Sequence, residues 1–179
     1  MVQNEIIIND SRSELATIEI VGGIATKTVF TPRKWQHDYM SELIPRLIHQ
    51  SLWYTARVYH FQSLPSSYRK YPFGYQYQME RLLPLTQQER DMIHVYTNMD
   101  DMVEEEEQRR FTIREEDYLV AELDNHPYLL QTLAAVSPYY RDLHDQQVMK
   151  TLQGVYKVVD LDSFAYWGTG VPHKRRFPR

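Results

Sequence analysis

Residues Thr31 to Gln62 read TPRKWQHDYMSELIPRLIHQSLWYTARVYHFQ. This is the longest run with one consistent apolar pattern, and how it folds decides the rest. Set at ~100° per residue, Met40, Leu43, Ile44, Leu47, Ile48, Ser51, Thr55 and Val58 fall on a single stripe, as a core-facing helix requires. The opposite side carries Glu42, Arg46, Arg57 and His60, with Trp35 and Trp53 among them where water is expected. Thr31 before Pro32 supplies a start, because a threonine oxygen caps free N–H groups and a proline at the first helical position leaves none unpaired. Pro45 forfeits a hydrogen bond and collides with the Ser41 carbonyl, which predicts a kink or two helices meeting there. A competing reading makes Leu52 to Phe61 a strand, since Trp, Tyr, Thr, Val and Phe favour the pleated conformation.

Upstream, Ile6 to Ile8 has the composition of a short strand. Ala16–Val21 and Ile24–Phe30 flank Gly22-Gly23, the signature of a tight hairpin. A two-residue loop pairs Val21 with Ile24, whereas a three-residue loop with a bulge pairs Ile20 with Ile24, and the sequence allows both. Thr17, Glu19, Thr26 and Lys27 predict one wet face. Such a hairpin is marginal alone, so it must pack on the helix or pair with another strand.

Downstream, Pro65, Pro72, Gly74 and Pro84 punctuate residues 63–84, which predicts little regular structure over most of that stretch. Tyr71, Phe73, Tyr75 and Tyr77 alternate, so an extended chain would place them on one side, for a strand, a nucleobase stack or a protein contact. The acidic balance ranks the protein contact first. Thr86 to Glu89 and Thr112 to Glu115 both match a capping box. Asn125 with Pro127, and Ser137 with Pro138, start two further helices, the last with Leu143, Val148, Met149 and Leu152 inside and Gly154 as its stop. Asp100 to Glu107 holds six carboxylates in eight residues and reads as a solvated face. Val155 to Leu161 is strand-like and is expected to pair with the N-terminal hairpin. The expectation is therefore an α+β fold: an N-terminal β-hairpin on a kinked central helix, a mainly helical second half and a C-terminal strand. Residues 1–167 form one domain, and 168–179 an extended basic arm.

Composition narrows the function. With no cysteine, thiolate metal sites, disulfides and cysteine nucleophiles are excluded, and a net charge of −4 argues against a general nucleic-acid binder. No apolar run approaches the ~20 residues that span a bilayer, and the acidic start lacks a secretion signal, so the expected location is the cytoplasm or the interior of a virus or phage particle. Fourteen tyrosines are several times average usage, and tyrosine is enriched at protein interfaces. The sequence has no Gly-x-Ser-x-Gly elbow, phosphate-cradling glycine loop or His-Glu-x-x-His, and no cofactor is implied. Two His-Asp pairs stand out, His37-Asp38 and His144-Asp145. The second resembles the His-Asp dipeptide of metal-dependent phosphohydrolases, and the resemblance implies His94 or His126 as an upstream ligand and Asp160 or Asp162 as a downstream one.

The leading expectation is a non-enzymatic structural subunit of a larger assembly, such as a virion component, whose partners are other protein subunits, copies of itself included. Its partner-binding residues are Trp35, Trp53, Tyr71, Phe73 and Tyr75, together with Trp167, Lys174, Arg175, Arg176 and Phe177 of the arm. No membrane and no nucleic acid are expected as partners. The metal-dependent phosphohydrolase built on His144-Asp145 is the alternative.

Overall fold

In the computed structural model, which describes residues 14–98, 110–140 and 143–163 in full and 5–11 by their backbone, Gly22 settles the register of the hairpin. Strands β2 (Glu14–Val21) and β3 (Ile24–Thr31) pair Val21 with Ile24 across a two-residue loop. Gly22 adopts φ 63°, as a tight hairpin turn requires of its first central residue. β1 (Glu5–Ser11) adds to β2, while β5 (Phe73–Glu80) adds to β3 and carries β4 (Val58–Pro65) outside it. The result is an antiparallel sheet of order β1-β2-β3-β5-β4.

The helix of the quoted stretch, α1 (Lys34–Gln50), lies on one face of this sheet and buries Tyr39, Met40, Leu43, Ile44 and Leu47. Pro45 remains inside one continuous helix. Burying Met40, Leu43, Ile44 and Leu47 at ~1.5–3 kcal/mol each outweighs the ~3 kcal/mol that the proline costs. The helix stops earlier than its stripe implied. Ser51 turns left-handed at φ 36°, Leu52 to Arg57 form a loop, and Val58 to Phe61 enter β4, so the strand reading holds for the end of that run. Thr55 and Val58 are buried as the stripe predicts, but from loop and strand. Thr31 serves the start two residues early: its Oγ1 accepts from Arg33 N at 3.1 Å and donates to Gln36 Oε1 at 2.9 Å.

β5 corrects the expectation of irregular structure over much of 63–84. Tyr75 and Tyr77 have no exposed surface, and the Tyr75 hydroxyl receives a hydrogen bond from Gln36 Nε2 at 3.1 Å. The same amide donates to Glu14 at 2.9 Å, so a buried glutamine links α1 to β2 and β5. A buried polar group must be satisfied in this way, since leaving it unpaired costs ~1–3 kcal/mol.

Among the described residues, those up to Arg81 form one compact unit and those from Leu82 to Ser163 another. The second unit contains α2 (Gln87–Asn98), α3 (Ile113–Asp124), α4 (Pro127–Val136) and a small hairpin of β6 (Val148–Lys150) and β7 (Tyr156–Val158). The molecule is therefore mixed α+β, with helices dominating its second half. Both capping boxes form: Thr112 with Glu115, and Thr86 with Glu89, where Glu89 Oε2 accepts from Thr86 N at 2.7 Å. Two expectations fail here. Ser137–Tyr139 is a single 3-10 turn rather than a helix running to Gly154, which instead sits in the β6–β7 connection at φ 79°. β7 pairs with β6 rather than with the N-terminal hairpin. Burial explains both, because Val148, Tyr156 and Val158 alternate inward and Thr132 of α4 donates to the Tyr156 carbonyl.

Glu89 holds the second unit together. Its carboxylate accepts from Lys150 Nζ at 2.7 and 2.8 Å and from the Tyr156 hydroxyl at 2.7 Å, joining α2 to both strands. Burial pushes its pKa up, but the bonds from Lys150, Thr86 and Tyr156 outweigh this and lower it to about 2. Burial and the Glu89 bond raise the Tyr156 phenol. A carboxylate with a lowered folded pKa contributes stability that is complete above its unfolded value and is lost as pH falls toward the folded one. Chemical denaturation of the wild type is therefore expected to lose about 3 kcal/mol between pH 5 and 2 through this group, and Glu89→Gln to remove that part of the acid dependence while lowering stability at pH 7.

Candidate interaction surface

The loop after α1 is built to hold aromatics outward. Ser51 N donates to the Leu47 carbonyl at 3.0 Å and closes the helix, and the loop's Thr55 and Ala56 are buried, Thr55 also donating to the Leu52 carbonyl at 3.2 Å. Arg57 N donates to Glu80 Oε1 at 2.7 Å while Glu80 N donates to the Arg57 carbonyl at 2.8 Å, fixing the loop to the end of β5. On this anchored backbone Trp53 is 54% exposed, edge-on to Tyr54 at 5.3 Å. A register shift between Val58 and His60 leaves Tyr59 42% exposed, with the Arg57 guanidinium 5.6 Å from its ring. Aromatic area held rigid at the surface, with a cation beside it, is the composition of binding hot spots.

Further aromatics stand on the same unit. Arg33 lies 5.9 Å from the Trp35 ring and Lys70 lies 5.0 Å from that of Tyr71. Exposed Tyr68 packs edge-on to Phe30 at 5.1 Å. Phe30 lies close over Gly74, where a Cβ would stand 2.7 Å from the ring and 2.9 Å from the Leu64 carbonyl. Of the residues expected at the interface, Trp53 is exposed, while Trp35 and Phe73 are half-buried. Tyr71 and Tyr75 are buried, which corrects their assignment to a partner: pleating turns Tyr75 onto the α1 side with Tyr77 and Met79. Trp167, Lys174, Arg175, Arg176 and Phe177 lie outside the described residues. Arg57, Tyr59 and Tyr68 were missed, and only the strand reading of 52–61 carried a signal for Tyr59, by setting it opposite Val58.

Among the described residues, the titratable groups form no enclosed centre. His37 shares a hydrogen bond with Ser63 Oγ at 3.1 Å and lies 3.4 Å from Asp38, an order that mimics nucleophile, base and orienting acid. Asp38 is paired with Lys34 at 2.7 Å, which with His37 holds its carboxyl below the usual range against a small desolvation effect. Its side chain is half exposed and Ser63 is exposed, so water competes at every link, and the contact pins α1 to β4. His94 is pushed down chiefly by burial and also by Arg110; its ring packs on Phe111 at 5.8 Å. Among the described residues, which include His94, His126, His144, Asp145, Asp160 and Asp162, no group of three or more His, Cys, Asp or Glu side chains is placed to hold a metal ion. The phosphohydrolase resemblance thus lacks a convergent donor set.

Trp53→Ala and Tyr59→Ala are expected to change unfolding free energy by no more than about 0.5 kcal/mol, as surface truncations do, when followed by urea denaturation. Gly74→Ala is expected to cost about 1–3 kcal/mol in the same assay, because the Leu64 carbonyl is backbone and only distortion relieves the clash. Comparison with known protein families finds no matching family model, and comparison with curated proteins finds no match.

Proposed function

We propose that this protein is a non-enzymatic structural subunit of a larger protein assembly, of the kind that builds a viral or phage particle. It binds neighbouring subunits, copies of itself among them, through the aromatic surface of its N-terminal unit and a basic C-terminal arm. The observation that carries this reading is Trp53, exposed over half its surface on a loop whose own backbone is anchored by buried neighbours. A fixed, exposed tryptophan beside Tyr54 and the Arg57–Tyr59 pair has little entropy left to lose on binding, which favours a protein contact.

Charge supports the second element. Residues 1–81 carry nine Lys and Arg against seven Asp and Glu, whereas residues 82–163 carry seven against seventeen, and residues 164–179 carry four against none. The acidic surplus is confined to one unit and the arm has the opposite sign, so an arm from one copy is attracted to the C-terminal unit of another. Asp100 to Glu107, the most acidic stretch of that part of the sequence, lies outside the described residues. On this reading the protein works in the cytoplasm or within a particle, with no cofactor and no nucleic acid. No helix among the described residues is long and apolar enough to cross a membrane.

Deleting residues 168–179 tests the reading by sedimentation over a salt series. The expected result is loss of self-association or of subunit binding with the circular dichroism spectrum preserved, and, in the intact chain, association that weakens as salt screens the charge pairs. Association that survives the deletion unchanged at every salt concentration overturns it.

A further inference from the structure

Among the described residues β4 is an edge of the sheet, and backbone alternation shows which of its groups stay open. Glu80 N donates to the Arg57 carbonyl and Arg81 N to the Gly23 carbonyl, so even-numbered residues of β5 turn their N–H and C=O groups toward β4 and odd-numbered ones toward β3. His60, Gln62 and Leu64 pair with Gln78, Gln76 and Gly74 and turn theirs inward. Phe61 and Ser63, set between them, therefore direct N–H and C=O away from the sheet. The open window is short. The register shift between Val58 and His60 breaks it on one side, and Pro65, of the same parity as Ser63, brings no N–H on the other. Within the window Gln62 ends a row of side-chain bonds on the face away from α1: its Nε2 donates to Gln76 Oε1 at 2.7 Å, and Gln76 Nε2 donates to Thr28 Oγ1 at 2.8 Å. Tyr59, His60, Gln62 and Ser63 are exposed.

We propose that β4 pairs antiparallel with β4 of a second copy of this chain, about a two-fold axis at Gln62, and so continues the sheet across two chains. An exposed strand edge is a template for another strand, and register selects a copy as the occupant. Centred on Gln62, each Phe61 faces Ser63 of the other chain, and both pairs exchange complete sets of backbone hydrogen bonds. Centring on Phe61 calls on Tyr59 at the register shift, and centring on Ser63 sets Phe61 against Pro65, which has no N–H to give. The two Gln62 side chains then stand opposite one another, ~4.5–5.5 Å apart at Cβ, and join the amide rows of both chains into one, as stacked glutamines do. Charge agrees with this choice. Val58–Pro65 holds no Asp, Glu, Lys or Arg, so two copies meet without repulsion, whereas β1, the opposite edge, carries Glu5 and Asp10 in its sequence. This pairing rests on the assembly reading, in which copies bind one another, and supplies a surface, a symmetry and a register that owe nothing to the basic arm.

Sedimentation equilibrium of the full chain is expected to show a dimer. Gln62→Lys and Gln62→Glu each set like charges across the axis and are expected to weaken dimerisation at least tenfold, while an equimolar mixture of the two restores it. The absence of cysteine gives a second readout. On mild oxidation Gln62→Cys is expected to form an interchain disulfide at least tenfold faster than His60→Cys, whose two copies the same register holds ~13 Å apart along the strands. A dimer that both charge variants leave intact overturns the proposal, as does association lost in both that mixing fails to restore, and as do equal disulfide rates in the two cysteine variants. A chain that stays monomeric overturns it too and confines the assembly reading to other subunits. Deleting 168–179 separates the two contacts: a dimer that persists while larger, salt-sensitive association is lost sustains both readings, and a dimer that persists with nothing larger lost sustains this one and overturns the arm.

Discussion

Everything in the N-terminal unit follows from one contact, the packing of α1 against the central strands through Gln36 and Tyr75. Gln36 is buried, and its amide bonds to Tyr75 and Glu14 while its oxygen accepts from Thr31. An apolar residue there would pack as well but would not fix direction, whereas an amide with three partners is satisfied in one arrangement of helix and sheet. The surrounding burial of Tyr39, Met40, Leu43, Ile44 and Leu47 supplies the free energy, and the polar link selects which alignment receives it.

The C-terminal unit solves the same problem with charge. Glu89 belongs to the cap of α2, and a capping carboxylate normally sits in solvent, as Glu115 does at the start of α3. Here its second oxygen meets Lys150 and Tyr156, so the helix start, β6 and β7 are joined at one group. Removing one partner of a buried pair leaves the other uncompensated, and for that reason such a hub is sensitive to acid in a way that the glutamine-based link of the first unit is not.

The tyrosines divide between these two kinds of work. Tyr75 and Tyr77 fill the core of the sheet, and Tyr156 closes the Glu89 hub, while Tyr59, Tyr68, Tyr118 and Tyr128 are exposed. A high tyrosine count thus mixes residues held for packing with residues open to a partner, and only the second group bears on binding. In the N-terminal unit the exposed rings are joined by exposed Trp53 and by an arginine beside each of the rings of half-buried Trp35 and exposed Tyr59.

Local chemistry is legible in the order of the residues. The sequence alone determined the Gly22-Gly23 hairpin, the two capping boxes, the core stripe from Met40 to Leu47 and the mixed α+β class, because each depends on residues within about four positions of one another. What lay beyond that range was decided by tertiary structure. The stripe continued arithmetically to Thr55 and Val58, yet the helix ended at Gln50, since pairing with β5 offered Val58 to Phe61 both hydrogen bonds and burial. β7 chose β6 over the distant hairpin for the same reason. Alternation placed Tyr71, Phe73, Tyr75 and Tyr77 on one side of the chain, but which side faced water depended on where α1 came to rest. The exposed surface around Trp53 and Tyr59 emerged from a left-handed residue and a register shift, features of backbone geometry that no spacing of side-chain types encodes.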